Sequence, residues 1–148
     1  LKGGFDELNR HKIDSRGCTN FASTFDNCVG LDGFDLTKLN TSRATNMGAM
    51  LNCNFNQNLG SWDVRNNTNF ASFTSRNTTW STENYGATLM GWLRWDSETH
   101  APQEGWVLKS NVNFHAGNAQ LVAGSEAALA REYYINTLGW SITDGGLI

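Results

Sequence analysis

Three copies of one short phrase dominate this chain. TNFASTF begins at Thr19, TNMGAML at Thr45 and TNFASF at Thr68, so the phrase returns after 26 and then 23 residues. A period of this size sets one small structural unit after another, and such a unit cannot bury its apolar face alone. Aligning the copies places Phe21, Met47 and Phe70 in one apolar column. Phe25 and Leu51 form a second, which lapses at Thr74. A third runs Ile13, Leu39, Trp62, with Leu36 and Leu59 three residues ahead of the last two and Arg10 in the matching place before the first. The Thr-Asn pairs stand where a helical turn must begin. Their side-chain oxygens can accept hydrogen bonds from unpaired backbone N–H groups, and equivalent asparagines can stack into a ladder.

Both offsets fall within the window of about 20–29 residues typical of leucine-rich repeats, in which each unit supplies a short strand and a return turn. The run L-x-x-W-x-V from Leu59 to Val64 reads as the strand part. The expected fold is therefore an α/β repeat: a short leucine-rich-repeat-like solenoid over residues 1–80, closed by a C-terminal α/β capping region over residues 81–148 of the same domain. In that region Ser81 and Thr82 followed by Glu83 predict a helix start, with Tyr85, Leu89 and Trp92 on one face. A second helix is expected from Ser125 to about Leu138, with Leu129, Tyr133 and Ile135 or Asn136 near its apolar face and Gly139 as its stop. Alternation predicts short strands at Asn111–His115 and Trp140–Thr143.

The segment from Thr45 to Phe70, with Met47, Met50, Leu51, Cys53, Phe55, Asn56, Gln57, Leu59, Trp62 and Asp63 in register, resembles the repeat of BspA-like bacterial surface proteins, known also from mycoplasma lipoproteins. The unit from Thr19 to Ala44 departs from that pattern: Cys28 follows Phe25 by three residues rather than two, and Leu39 stands where the tryptophan belongs. WSTENYGATLMGW, NVNFHAG and AALAREYYINTLGWSITDGG resemble segments that close such arrays. The resemblance implies an extracellular or surface-exposed module for adhesion or recognition, and it names no ligand. By analogy alone, a phage tail or fibre protein could carry the same module.

Several functions are disfavoured by what the chain lacks. A net charge of −3 without a Lys/Arg cluster makes nucleic acid a poor partner. The apolar stretches are far shorter than the roughly 20 residues of a membrane span, so no membrane insertion is expected. Cys18, Cys28 and Cys53 form no CxxC pair and have no histidine at zinc spacing, so buried thiols are expected rather than a metal site or a bridge. His11, His100 and His115 lie in unrelated elements, and no nucleophile with a base or phosphate loop stands out. The reading is a non-enzymatic protein with no cofactor.

Candidate binding residues fall in two groups. Lys38, Asn40, Ser61 and Asp63 would lie exposed on the strand face. Trp95, Asp96, Glu98, His100 and Trp106 belong to or flank the stretch from Arg94 to Gly105, which holds the only proline and three acids. A long loop on a rigid scaffold is a common seat of recognition. Its tryptophans could stack on a sugar or plug the core, and its acids could bind Ca²⁺ weakly or stay solvated. The expected partner is a cell-surface glycan or protein. The alternative is a structural module, whether spacer, oligomerisation element or end-cap, of a larger fibre or envelope protein. Leu1 in place of Met suggests a processed product or a piece of something longer. Phe5, Leu8 and Ile13 are expected to need cover from an upstream domain or another subunit.

Overall fold

The computed structural model describes residues 15–28 and 31–148. Expectations for Phe5, Leu8, Arg10, His11 and Ile13 lie outside the described residues. The described chain forms two 3₁₀ turns, Leu31–Gly33 and Leu36–Lys38, then helix α1 (Thr82–Leu93) and strands β1 (Trp95–Asp96), β2 (Ala101–Pro102) and β3 (Asn113–His115). Helix α2 (Glu126–Asn136) and strand β4 (Ser141–Thr143) complete it. β1 and β2 pair antiparallel, β3 and β4 pair parallel, and the two sheets are separate.

The expected leucine-rich-repeat-like solenoid is not what these residues build. With two helices and two isolated two-stranded sheets, the protein is a small mixed α/β domain. Between the TN phrases the parallel bridges stay isolated, Asn20 with Asn46 and Asn46 with Asn69. Backbone hydrogen bonds continue beyond them, from Phe21, Ser23 and Phe25 N to Asn46, Gly48 and Met50 O, but form no strand, and the stretch from Leu59 to Val64 is turn and bend. The cause lies in the backbone. Ser23, Ala49 and Ser72 hold φ of 57°, 52° and 53°, so the chain turns three residues after each bridge and the hydrogen bonds that follow join turn to turn rather than extended strand to strand.

What the asparagines do there is chemical. Oδ1 of Asn20, Asn46 and Asn69 accepts from the backbone N–H two residues on, at 2.9 Å in each case. Asn69 Nδ2 also donates to Asn46 Oδ1 at 3.0 Å. The same economy continues further along. Asn52 Oδ1 accepts from Arg76 N, Asn54 Oδ1 from Thr78 N and Asn56 Oδ1 from Ser81 N, each at 2.9 Å. Gln57 grips the 3₁₀ region, taking Leu36 N–H and donating to Phe34 O. Turn-rich backbone that would otherwise bury unpaired groups is satisfied by side-chain amides.

The core is one hydrophobic cluster running from Phe21 to Trp140. Phe21, Met47, Phe70, Phe25, Leu51, Leu39 and Trp62 are all buried, as is Thr74. Cys28 and Cys53 are buried and Cys18 half-buried, all three as thiols. At the centre Phe70 stacks on Trp92, with centroids 4.9 Å apart, and meets Phe73 edge-on at 5.0 Å. All six indole N–H groups find an acceptor. Five of these acceptors are backbone carbonyls, among them Leu36 O for Trp62 and Leu59 O for Trp92.

Both helices begin where their caps predict. Ser81 accepts from Asn84 N, Ser125 accepts from Ala128 N, and Glu83 and Glu126 sit in the first turns. Tyr85, Leu89 and Trp92 are buried as a stripe of α1. The inner face of α2 differs from expectation: Ala127, Ala128, Ala130 and Tyr134 are buried, whereas Leu129, Tyr133 and Ile135 are half-buried and Asn136 is exposed. Small alanines let α2 come close to α1, and Tyr134 reaches through to donate to Leu89 O at 2.7 Å. Gly91 of α1 faces Gly60 so closely that neither position has room for a Cβ.

Candidate functional site

The two groups of candidate residues occupy two depressions. Lys38, Asn40, Ser61 and Asp63, drawn from segments more than twenty residues apart, line one hollow of about 270 Å³ together with Thr41 and Ser42. Trp62 orders its floor by anchoring its indole on Leu36 O. The segments are cross-tied where Thr41 Oγ1 donates to Asp63 O at 3.0 Å and Asn66 Nδ2 to Ser42 O at 2.8 Å.

Much of the polar capacity in this hollow is spent on the turns that shape it. Asn40 Oδ1 accepts from Ser42 N and Oγ at 3.0 and 2.7 Å. Asp63 plays the equivalent part, accepting from Arg65 N at 3.1 Å and gripping the Arg65 guanidinium at 3.1 and 2.9 Å. The hydrogen bond from Arg65 is the main reason that the Asp63 carboxyl is held below its ordinary range, so it stays ionised. Lys38 and Ser61 are exposed.

The second depression is an open cleft of about 630 Å³ beside the β1–β2 hairpin, which the sequence suggested only as a loop. Trp95, Asp96 and Glu98 line it with Arg94, Gln103 and Glu104. His100 and Trp106 do not. His100 Nδ1 lies 2.7 Å from Glu126 Oε1, and Trp95 Nε1 donates to Glu126 Oε2 at 2.8 Å, so one carboxylate at the start of α2 holds both the base and the tip of the hairpin. The Trp95 indole, then His100, hold the Glu126 carboxyl below its usual range. Asp96 Oδ1 caps the turn at Glu98 N, 2.8 Å away. Among the described residues no three His, Cys, Asp or Glu side chains stand together as a metal site.

Neither loop tryptophan is an open stacking platform. Trp95 is half-buried and meets Tyr133 edge-on at 6.1 Å. Trp106 donates to Trp92 O and carries two guanidinium groups over its ring, Arg65 at 3.7 Å and Arg94 at 4.4 Å. These two arginines are the residues that sequence reasoning missed, and they join the two depressions. Arg94 lines the hairpin cleft while donating to Gly60 O and Ser61 O beneath the first hollow, and Arg65 carries Asp63 onto Trp106. Only the unusual D-x-R spacing at Asp63–Arg65 could have hinted at this.

A second charged cluster ties the C-terminus down. Asp144 accepts from Tyr85 Oη at 2.6 Å and from Arg131 Nε and Nη2 at 2.9 and 3.1 Å. Burial by itself would raise the Asp144 carboxyl, yet these donors hold it below its ordinary value, while burial and the neighbouring carboxylate push the Tyr85 hydroxyl well up. All its partners are internal, so it serves as a structural brace.

No curated protein and no solved structure matches the chain. A family model does match, over residues 5–88 and so over more than half of the sequence. The chain thus belongs to the family described as Mycoplasma protein of unknown function, DUF285.

Proposed function

We propose that this protein is a non-enzymatic recognition module, a BspA-like adhesion element acting outside the cell or at its surface, which contacts a cell-surface glycan or protein. The observation that carries this reading is the continuity of one polar face. It runs from the hollow at Lys38, Asn40 and Ser61, across Asp63, Arg65, Trp106 and Arg94, to the hairpin cleft at Trp95, Asp96 and Glu98. Both depressions are shallow and lined by hydroxyl, amide and charged groups, which suits an extended polar ligand better than a small apolar one. Internal hydrogen bonds hold the face rigid, so little ordering entropy opposes binding. The resemblance of Thr45–Phe70 to surface-protein repeats supports the same class of role.

A glycan array probed with the intact chain, together with pull-down from labelled cell surfaces, tests this. Binding that weakens in Lys38→Ala and Ser61→Ala, both exposed and outside the internal network, supports the reading. Binding insensitive to both and to Glu98→Ala in the cleft rejects this face as the site.

A further inference from the structure

Opposite chemistry marks the groove between α1 and α2. Its walls are Gly86, Ala87, Met90, Leu121 and Ala127, it encloses about 300 Å³, and Val122 stands at its edge. Four large apolar side chains are exposed among the described residues: Val107, Val122, Leu147 and Ile148. Three of them gather beside this groove, because Leu121 bridges to Leu147 and Ala123 N donates to Ile148 O at 2.9 Å. Clustered exposed apolar side chains next to an apolar groove mark an interaction surface rather than scattered surface hydrophobes.

The rim decides what fits. Glu83, in the first turn of α1, and Glu126, in the first turn of α2, both line the groove. His100 reaches Glu126 from the hairpin side, whereas Glu83 is exposed. A second copy packed across a two-fold axis would bring this acidic rim against itself, and like charges facing each other oppose association. We propose that the groove docks a segment of a partner protein in which an apolar side chain is flanked by lysine or arginine: the apolar group enters between Met90 and Val122 and a cation meets Glu83. No residue lines both this groove and the polar face, although Glu126 touches the hairpin, and the inference does not depend on the recognition reading.

The test uses the intact chain and a fluorescein-labelled peptide of interleaved leucine and lysine, with a second peptide carrying glutamate in place of lysine. Fluorescence anisotropy is expected to show binding of the lysine peptide only. Glu83→Lys and Val122→Asp, both at exposed positions, should each weaken it about tenfold, while Ser61→Ala on the polar face leaves it unchanged; melting curves confirm that each variant is folded. Equal binding of both peptides, no binding of the lysine peptide, or indifference to Glu83→Lys overturns the proposal. Dimerisation of the chain alone in sedimentation, abolished by Val122→Asp, would give the groove to a second copy and overturn it equally.

Discussion

Residues 15–80 and residues 81–148 solve the same problem by different means. The first region contains, among its described residues, no α-helix and no strand, only two 3₁₀ turns and isolated bridges. Its backbone is satisfied by Asn, Gln and Thr side chains together with backbone bonds within and between turns, and its apolar residues point inward from successive turns. The second region satisfies its backbone with two capped helices and short strands, and it buries a helix stripe. The two share one core, with Phe70 on Trp92 at the seam. The comparison teaches that helices confine a substitution's damage to packing, whereas a turn-built region carries both packing and hydrogen-bond risk at the same residue.

The sharpest test is Trp62→Ala. Trp62 is 2 % exposed and its indole donates to Leu36 O, so truncation leaves a cavity and strips that carbonyl of one of its two donors, the other being Leu39 N–H. A loss of about 3–5 kcal/mol is expected in chemical denaturation. A loss below about 1 kcal/mol would break the claim that turns and packing are coupled there. Next comes Gly91→Ala, at the close approach to Gly60 that joins the regions. The added methyl must push the backbones apart, at about 3 kcal/mol, and the near-ultraviolet signal of Trp92 should change with it.

The brace in the second region predicts pH dependence. Because the folded Asp144 carboxyl is held below its ordinary value, its contribution is present above the unfolded value of about 4 and is lost as pH falls through the folded value. Asp144→Asn should cost about 2 kcal/mol near neutrality, less than for a fully enclosed pair because Arg131 is partly exposed, and should flatten the acid limb of the stability profile. In the first region, Asn77 and Asn67 are a matched pair, each 1 % exposed. Asn77 donates to Phe55 O and accepts from Thr79 N, whereas the Asn67 amide has no partner among the described residues. Asn77→Ala should cost about 2 kcal/mol and Asn67→Ala well under half of that. Equal losses would show that buried volume, not hydrogen bonding, governs this region. The smallest effect is a gain: Ala49→Gly should stabilise by about 0.5–1 kcal/mol, since Ala49 holds a positive φ.

The start of each helix was legible because a cap is local: a serine followed by an acid satisfies the first turn wherever it occurs, as at Ser81 and Ser125. The β3 and β4 segments were legible from alternation. The hairpin was not, since two-residue strands ending at Pro102 leave no period to read. Grouping Lys38, Asn40, Ser61 and Asp63 was legible through the alignment of equivalent positions, even though the solenoid inferred from the same alignment does not form. The arginines over Trp106 were hidden because nothing in the local sequence of Arg65 or Arg94 points to a ring that distant in the chain.

By itself, the sequence determined which residues are apolar and recurrent, where the helices start, and the family to which residues 5–88 belong. Those are properties of short windows. The tertiary structure alone decided that the recurring phrases would join turn to turn rather than strand to strand, because left-handed backbone at Ser23, Ala49 and Ser72 is a conformation their side chains do not announce. It also decided which face of α2 turns inward. Leu129 and Tyr133 compete there with Ala127, Ala130 and Tyr134 for the same core, and how closely α1 approaches settles the outcome, which no window of α2 contains.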